Sequence, residues 1–206
     1  MVGIYGIILA GGQARRLGGV DKGLIRVGGE AILARLARRL GDQCAGLAVN
    51  ANGDPTRFKD FGLPVVADDI AGFAGPLAGV LAGMDYVAAN IVAVSDIVTV
   101  PADTPFIPGD LVKRLWDART AANADIAVAR SNGRDHHAIA LWPVALRADL
   151  RRALEEEARK VAAFIGRFTH VEVEWPAEPD DPFFNVNRPE DVEHAEAMAM
   201  AREDRG

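Results

Sequence analysis

Residues 4–23 read IYGIILAGGQARRLGGVDKG. An apolar run typical of a buried strand continues directly into a segment rich in glycine and basic residues. Between Leu9 and Gly23, five glycines, two adjacent arginines and one lysine lie within fifteen residues. Because glycine has no side chain, backbone N–H groups in such a segment can approach a phosphate closely. The stretch therefore predicts a first strand that ends in an anion-binding loop.

Four residues of this loop are candidate phosphate ligands. Gly11 and Gly12 follow the strand and offer N–H groups. Arg16 adds a guanidinium that binds phosphate bidentately, and Lys22 adds an ammonium point charge. The segment lacks both the Gly-Lys-Ser/Thr end of a P-loop and the G-x-G-x-x-G order of dinucleotide-binding folds. A cradle of another class, able to take two or three phosphates, points to a nucleoside triphosphate.

Along the rest of the chain, short apolar runs alternate with helical periodicity. The strand-like runs are residues 4–9, 46–50, 64–67, 91–100, 125–129, 138–142 and 171–175. The helical patterns are residues 32–40, 77–88, 109–121, 145–156 and 189–201. This alternation predicts right-handed crossovers and a mostly parallel sheet covered on both faces, which is a three-layer α/β/α sandwich.

One pair of runs predicts an antiparallel excursion from that sheet. ADIAVAR and HHAIALW are separated by SNGRD, and Asn132-Gly133 is typical of a tight hairpin turn. We expect this hairpin at the edge of the sheet.

Length and composition favour one soluble domain, residues 1–206, because half of the 206 residues are apolar and a quarter are charged. The longest apolar stretch, IVAVSDIVTVPA, contains Asp96, so no membrane span is expected. No basic residue precedes the N-terminal apolar run, which favours a strand over a signal peptide. Cys44 is the single cysteine and agrees with a reducing compartment. We expect a cytoplasmic protein.

Charge is distributed unevenly around a net value of −6. Residues 1–60 hold nine Lys/Arg against five Asp/Glu, whereas residues 172–206 hold three against eleven. A basic N-terminal part on an acidic chain suggests a small phosphorylated ligand rather than nucleic acid, which needs a long basic track. Ordinary helix-surface charge is the alternative.

A second anchor is VPADTPFIP, in which Asp103 follows a long apolar strand. A carboxylate at the carboxyl end of a central strand stands in the crevice where open α/β sheets bind ligands. Mg²⁺ commonly takes one or two carboxylates together with substrate phosphates, so Asp103 alone suffices as a partial site. The same residue could instead satisfy a turn through its own backbone, and the residues alone leave both interpretations open.

LAGGQARRLGGVDKGL resembles the glycine-rich signature of nucleotidyltransferases that act on small acceptors. More closely, the chain resembles the molybdenum cofactor guanylyltransferase family, and the resemblance extends over VNAN, GPLAG, PADTPFIP, RDHHAIAL and FFNVNRPED. It implies a Rossmann-like nucleotidyltransferase fold and Mg²⁺-dependent transfer of GMP from GTP to molybdopterin or Mo-molybdopterin. It also implies contacts with molybdopterin-synthesis and molybdoenzyme chaperone proteins, and neither nucleic acid nor membrane as a partner.

The resemblance also assigns residues on the nucleotide side, which we place in the N-terminal half. Arg16, Lys22 and Asp103 are the implied catalytic residues, with Asp103 as the metal ligand. The implied nucleotide contacts are Leu9, Ala10, Gly11, Lys22, Asn50, Asp68 and Asp103, and the glycine chemistry of the loop adds Gly12. For the base, neighbouring Asp69 leaves the register in doubt, and Asp68 is preferred for its distance from GPLAG.

On the acceptor side, in the C-terminal half, the candidates are His136, Asn185 and Asn187. The two asparagines alternate with apolar residues, so on a strand both would face the same side and could hold a pterin or its phosphate. The asparagines could instead satisfy turns at a strand edge, and His136 could orient the acceptor or merely pack at the hairpin. Two positions depart from the family pattern: His137 replaces a proline, and Arg188 replaces the threonine that caps the last helix.

Two alternatives to guanylyl transfer stay open. Cytidylyltransferases for the same cofactor usually read Leu-Ala-Ala-Gly, so Gly11 favours the larger purine, although another phosphorylated acceptor is also possible. A non-catalytic nucleotide sensor or cofactor chaperone would be expected to have lost Lys22 or Asp103, and both are present.

Overall fold

A seven-stranded sheet forms the centre of the computed structural model, which describes residues 3–11, 21–70 and 75–203. In chain order the strands are β1 (Gly3–Leu9), β2 (Arg26–Val27), β3 (Glu30–Ala31), β4 (Gly46–Asn50), β5 (Val65–Val66), β6 (Val94–Pro101), β7 (Ile126–Ser131), β8 (Arg134–Pro143) and β9 (His170–Trp175). The sheet order is β5-β4-β1-β6-β8-β7-β9, and β2 and β3 form a separate antiparallel ribbon.

Helices cover both faces of this sheet, which confirms the three-layer prediction. They are α1 (Ile32–Gly41), α2 (Pro76–Asn90), α3 (Leu111–Ala122), α4 (Arg147–Glu155), α5 (Val161–Ile165) and α6 (Pro189–Glu203). Buried residues of α1, α3 and α6 share one hydrophobic cluster, and those of α2, α4 and α5 share another. No helix among the described residues is long and apolar enough to cross a membrane.

The first strand shows why the sheet separates two cores. Ile4 and Ile8 belong to one cluster, whereas Tyr5 and Ile7 belong to the other. This alternation follows from the two-residue period of a strand and makes both faces of β1 apolar. β1 pairs in parallel with both β4 and β6, so it lies in the middle of the parallel part.

The hairpin forms as predicted but occupies a different position. Its strands β7 and β8 turn at Asn132 and Gly133, both of which have positive φ, as a type I′ turn requires. The predicted edge location is wrong, because β8 pairs with β6 on one side and β9 pairs in parallel with β7 on the other. The hairpin therefore lies inside the sheet, and β9 forms the edge on that side.

The last helix compensates for the missing threonine cap. It begins at Pro189, as predicted, and the carboxylate of Asp191 accepts hydrogen bonds from the backbone N–H groups of Asn187 and Arg188, both at 2.8 Å. An acidic side chain that reaches back to free N–H groups at a helix start stabilises that end. Arg188 therefore does not leave the helix uncapped.

Candidate active site

The parallel strands β4, β1 and β6 end at the same level. Leu9 pairs with Asn50 on one side and with Pro101 on the other. The pairing continues just past the strands, since the N–H of Ala10 donates to the carbonyl of Asn50 at 2.8 Å and the N–H of Ala102 donates to that of Leu9 at 2.9 Å. Two inter-strand spacings span about 10 Å, and open α/β sheets bind their ligands in the crevice at the carboxyl ends of such strands.

Lys22 and Asp103 form an ion pair at this edge of the sheet. Lys22 begins a 3₁₀ turn at Lys22–Leu24, and its Nζ lies 2.7 Å from Oδ2 of Asp103. The two side chains are 21% and 15% exposed, so both groups can still be reached by a ligand. The glycine-rich loop thus supplies an ammonium group, and the PADTPFIP motif supplies a carboxylate, to the same position in the fold.

Asn185 and Asn187 converge on the same pair. The side-chain amide of Asn185 donates to Oδ1 of Asp103 at 2.8 Å and to the hydroxyl of Thr104 at 3.0 Å. Lys22 donates to the side-chain oxygen of Asn187. We refer to Lys22, Asp103, Asn185 and Asn187 as the strand-end cluster.

The two asparagines lie outside the strands, in a loop. Residues 184–187 have no regular secondary structure, and the loop is fixed where the N–H of Val186 donates to the carbonyl of Asp103 at 2.8 Å. The buried side chain of Val186 anchors the loop between them. Their common direction therefore comes from long-range contacts with Asp103 and Lys22 rather than from a two-residue strand period.

The donor set of this cluster fits a divalent cation. Asp103 offers a carboxylate with about four lone-pair positions, of which Lys22, Asn185 and, at a long 3.5 Å, the hydroxyl of Thr104 use three. Within the described parts of the chain, no group of three or more His, Cys, Asp or Glu side chains could hold a metal. A cation here would therefore complete its coordination with phosphate oxygens and water, as Mg²⁺ commonly does.

On the opposite side of β1, Asn50 and Asp68 form a second polar group. Asn50 is 3% exposed, and its amide donates to Oδ1 of Asp68 at 2.8 Å. Asn52 donates to Oδ2 of Asp68 at 2.7 Å and accepts from the Asp68 N–H at 2.8 Å. The Asp68 carboxylate is held by two amides and keeps lone pairs for a further donor.

Asp69 is engaged elsewhere, which bears on the choice between the two aspartates. Its carboxylate lies 3.5 Å from the guanidinium of Arg151 in α4. Asp68, by contrast, is bonded to Asn50. The geometry supports Asp68 as the base-side candidate.

Gly79 allows α2 to pack closely on this region. A Cβ at that position would lie 2.2 Å from Oδ1 of Asn50 and 2.9 Å from a methyl of Leu9. The glycine that closes the GPLAG motif is therefore required where the helix crosses the strand ends.

We expect Gly79→Ala to lower the free energy of unfolding by about 1–3 kcal/mol, the usual cost of overpacking, and to weaken GTP binding by displacing Asn50. Denaturant unfolding and calorimetric titration measure the two effects. Gly41→Ala in α1 is the matched control, because no heavy atom lies within 4 Å of where its Cβ would stand and alanine favours a helix. Equal stability of the two variants would contradict the packing role of Gly79.

Arg57 is a residue that sequence reasoning missed. From the 3₁₀ segment Pro55–Phe61 it contacts Asp21 at 3.2 Å and donates to the carbonyl of Asn52. It thereby links the residue before Lys22 to the residue that holds Asp68. Asn52 lies within the VNAN motif, so its place in the site could have been predicted from the sequence. No motif includes Arg57, so its contacts could not.

His136 lies on β8, outside the strand-end cluster. Its Nε2 is 2.8 Å from the hydroxyl of Ser131, and its ring centroid is 5.0 Å from that of Phe183. Burial lowers the pKa of His136 below its ordinary value of 6.5. Two other candidates, Gly12 and Arg16, lie outside the described residues.

A mostly parallel sheet with Gly11, Lys22 and Asp103 at its strand ends agrees with a nucleotidyltransferase. The family model for the MobA-like NTP transferase domain matches residues 6–172. The molybdenum cofactor guanylyltransferase of Rhodopseudomonas palustris (strain HaA2) is 56% identical over 199 residues, covering 96% of this chain and 93% of that protein. That of Bradyrhizobium sp. (strain ORS 278) is 52% identical over 203 residues, covering 98% and 95%. The chain therefore belongs to the molybdenum cofactor guanylyltransferases, within the MobA-like NTP transferases.

Among solved structures, molybdopterin-guanine dinucleotide biosynthesis protein A from Archaeoglobus fulgidus has a similar fold. The TM-score is 0.74 at 19% identity, with 96% of this chain and 99% of that chain covered. Rv0371C from Mycobacterium tuberculosis, solved in complex with manganese, gives a TM-score of 0.66 at 16% identity, with 95% and 98% covered. At these identities the likeness concerns the fold.

Proposed function

We propose that this chain transfers GMP from GTP to the terminal phosphate of molybdopterin, or of Mo-molybdopterin, and releases pyrophosphate. The observation that carries the proposal is the strand-end cluster, in which Lys22 and Asp103 meet at the carboxyl ends of the parallel strands. The high identity to named guanylyltransferases supports guanine as the base. In the reaction, an oxygen of the acceptor phosphate bonds to the α-phosphorus while the bond from that phosphorus to the β-phosphate oxygen breaks.

The acceptor phosphate is already an anion at neutral pH, so the reaction needs no strong general base. Catalysis then depends on positioning and on neutralising charge. We assign to Lys22 and Arg16 the neutralisation of charge on the β- and γ-phosphates. The backbone N–H groups of Gly11 and Gly12 would hold the pyrophosphate leaving group. Asn185 and Asn187 place the acceptor against Asp103.

Nucleotidyltransferases generally use a divalent metal, and we propose Mg²⁺ held by Asp103 for this chain. Such an ion supplies Lewis-acid polarisation of phosphoryl oxygens when bound. The fit rests on the single carboxylate of Asp103, which keeps one free lone-pair position, together with phosphate oxygens. The manganese complex of Rv0371C, which shares the fold, agrees with a hard divalent cation.

The two halves of the chain have separate tasks in this proposal, within one domain of residues 1–206. The nucleotide is bound by residues at the end of β1 together with Lys22, Asn50 and Asp68. The C-terminal half binds the acceptor. The strand-end cluster joins the halves, because Lys22 and Asn187 contact each other directly.

We place the reaction in the cytoplasm, with molybdopterin-synthesis and molybdoenzyme chaperone proteins as partners. Cys44 is the single cysteine and cannot form an internal disulfide, which agrees with a reducing compartment.

A competition assay tests the base assignment. Purified protein receives molybdopterin, Mg²⁺ and equal concentrations of GTP and CTP, and the dinucleotide products are separated by mass. The guanine dinucleotide is the expected product. A larger yield of the cytosine dinucleotide would make the chain a cytidylyltransferase instead.

Gly11→Ala tests whether Gly11 leaves room for the purine. The nearest heavy atom to a Cβ there is Oδ1 of Asn50 at 3.8 Å, an ordinary contact, so we expect the fold to tolerate alanine. The added methyl narrows the space beside Asn50, and kcat/KM for GTP relative to CTP should fall roughly tenfold. An unchanged ratio, with unchanged thermal stability, would remove Gly11 from base selection.

A further inference from the structure

Ser131, Asp181 and His136 form a polar cluster that the proposed chemistry does not use. Ser131 ends β7 and is fully buried, and its hydroxyl is 2.8 Å from Oδ1 of Asp181 and 2.8 Å from Nε2 of His136. A serine hydroxyl carries one proton and donates it best to a carboxylate. Nε2 of His136 must then be the donor of the second bond, because two acceptors would otherwise face each other.

This arrangement fixes which nitrogen of His136 carries the proton. With Nε2–H bonded to Ser131, the neutral ring has an unprotonated Nδ1 that can only accept. Among the described residues Nδ1 has no hydrogen-bond partner. Burial is the largest influence that lowers the pKa of His136, Arg134 and His137 lower it further, and Asp181 and Asp135 oppose the shift.

The cluster is also tied to the loop that reaches the active site. Asp181 accepts from the N–H of Phe183 at 2.9 Å, and Phe183 packs on the ring of His136. Asn185 follows two residues later, so its Cα lies within about 7 Å of that of Phe183. The β7–β8 pairing is interrupted next to His136. Val128 pairs with Ala140 and Ala129 with His136, so residues 137–139 have no partner on β7 and form a bulge. Such bulges change the direction of neighbouring side chains.

We propose that His136 recognises an N–H donor on the heterocycle of the acceptor, through Nδ1, and that Ser131 and Asp181 are positioning residues that hold it in this state. Nδ1 of neutral His136 can accept a hydrogen bond but cannot donate one. It therefore repels phosphate oxygens, whereas the ring N–H and amino groups of a pterin can donate to it. The acceptor would then lie with its phosphate at the strand-end cluster and its heterocycle toward His136. This assignment rests on the proposed function.

His136→Gln separates recognition from structure. The glutamine amide nitrogen takes approximately the place of Nε2 and can still donate to Ser131, whereas nothing replaces Nδ1. We expect the KM for molybdopterin to rise roughly fivefold to tenfold, the effect of one hydrogen bond, with the KM for GTP unchanged. An unchanged KM for molybdopterin would overturn the role of His136, whereas a wild-type protein that makes no product would instead overturn the proposed function.

Ser131→Ala tests the positioning role, and Ser95→Ala is the matched control, since these are the two serines of the chain and each contacts an aspartate. NMR of histidine labelled with ¹⁵N, assigned with His136→Gln, reports the tautomer without any acceptor present. We expect Nε2–H in wild type and in Ser95→Ala, and a mixture of tautomers in Ser131→Ala. A wild-type ring protonated on Nδ1 would contradict the proposal.

Discussion

Replacement of Asp103 by asparagine is expected to reduce pyrophosphate release from GTP, in the presence of molybdopterin and Mg²⁺, by roughly a thousandfold or more. Loss of the carboxylate removes the anchor for a divalent cation, and such cations supply several kcal/mol of charge stabilisation in the transition state. Asparagine keeps the size of the side chain but has a single acceptor oxygen, so it can keep the hydrogen bond from Lys22 or the one from Asn185, not both. We therefore expect a modest loss of thermal stability beside a much larger defect in kcat.

Asp117→Asn is the control for this experiment. Asp117 pairs with Lys113 on the exposed face of α3. Exposed ion pairs contribute little, so this variant should match wild type in both rate and stability. Turnover of Asp103→Asn within a factor of a few of wild type would exclude Asp103 from the mechanism.

Replacement of Lys22 by methionine is expected to cost roughly a hundredfold to a thousandfold in kcat/KM for GTP. Methionine retains much of the apolar stem but removes the ammonium that faces Asp103 and Asn187. Removal of one positioned donor in a catalytic site commonly has an effect of this size. Steady-state kinetics with varied GTP measure it.

Lys113→Met provides the comparison, because Lys113 lies on the surface and pairs with Asp117, away from the strand-end cluster. We expect its kinetics to equal those of wild type. If Lys22→Met also retained wild-type kcat/KM, the phosphate charge would have to be neutralised elsewhere, and the assignment of Lys22 would be wrong.

The parallel core of the fold could be predicted from the sequence because its signals are local. Residues 46–50 were predicted as a strand, and β4 has those bounds. The helix that starts at Pro189 was likewise marked by its proline at the first turn. α5 and the β2–β3 ribbon were not predicted, since segments of five and two residues are too short to show a period.

The position of the hairpin depended on contacts that no local pattern records. Asn132-Gly133 predicted the turn, but the parallel pairing of β9 with β7 joins segments that are far apart along the chain. Apolar alternation in residues 171–175 predicted a strand and did not indicate its neighbour. The edge assignment failed for that reason.

Within the candidate site, the sequence indicated which side chains would take part but not how they contact one another. Lys22 and Asp103 stand in recognisable motifs, yet their 2.7 Å contact and the approach of Asn185 depend on tertiary packing. Ser131 and Asp181 gave no signal at all, because a buried hydroxyl between two side chains is visible only in three dimensions. Their roles, like those of the other site residues, stay predictions.

Product analysis of a single reaction tests the central claim most directly. Purified protein is incubated with GTP, Mg²⁺ and molybdopterin, and pyrophosphate and nucleotide-bearing pterin are quantified together. Transfer of GMP predicts one pyrophosphate for each molybdopterin guanine dinucleotide formed. GTP binding without either product would contradict the account and indicate a nucleotide-binding protein that does not catalyse transfer.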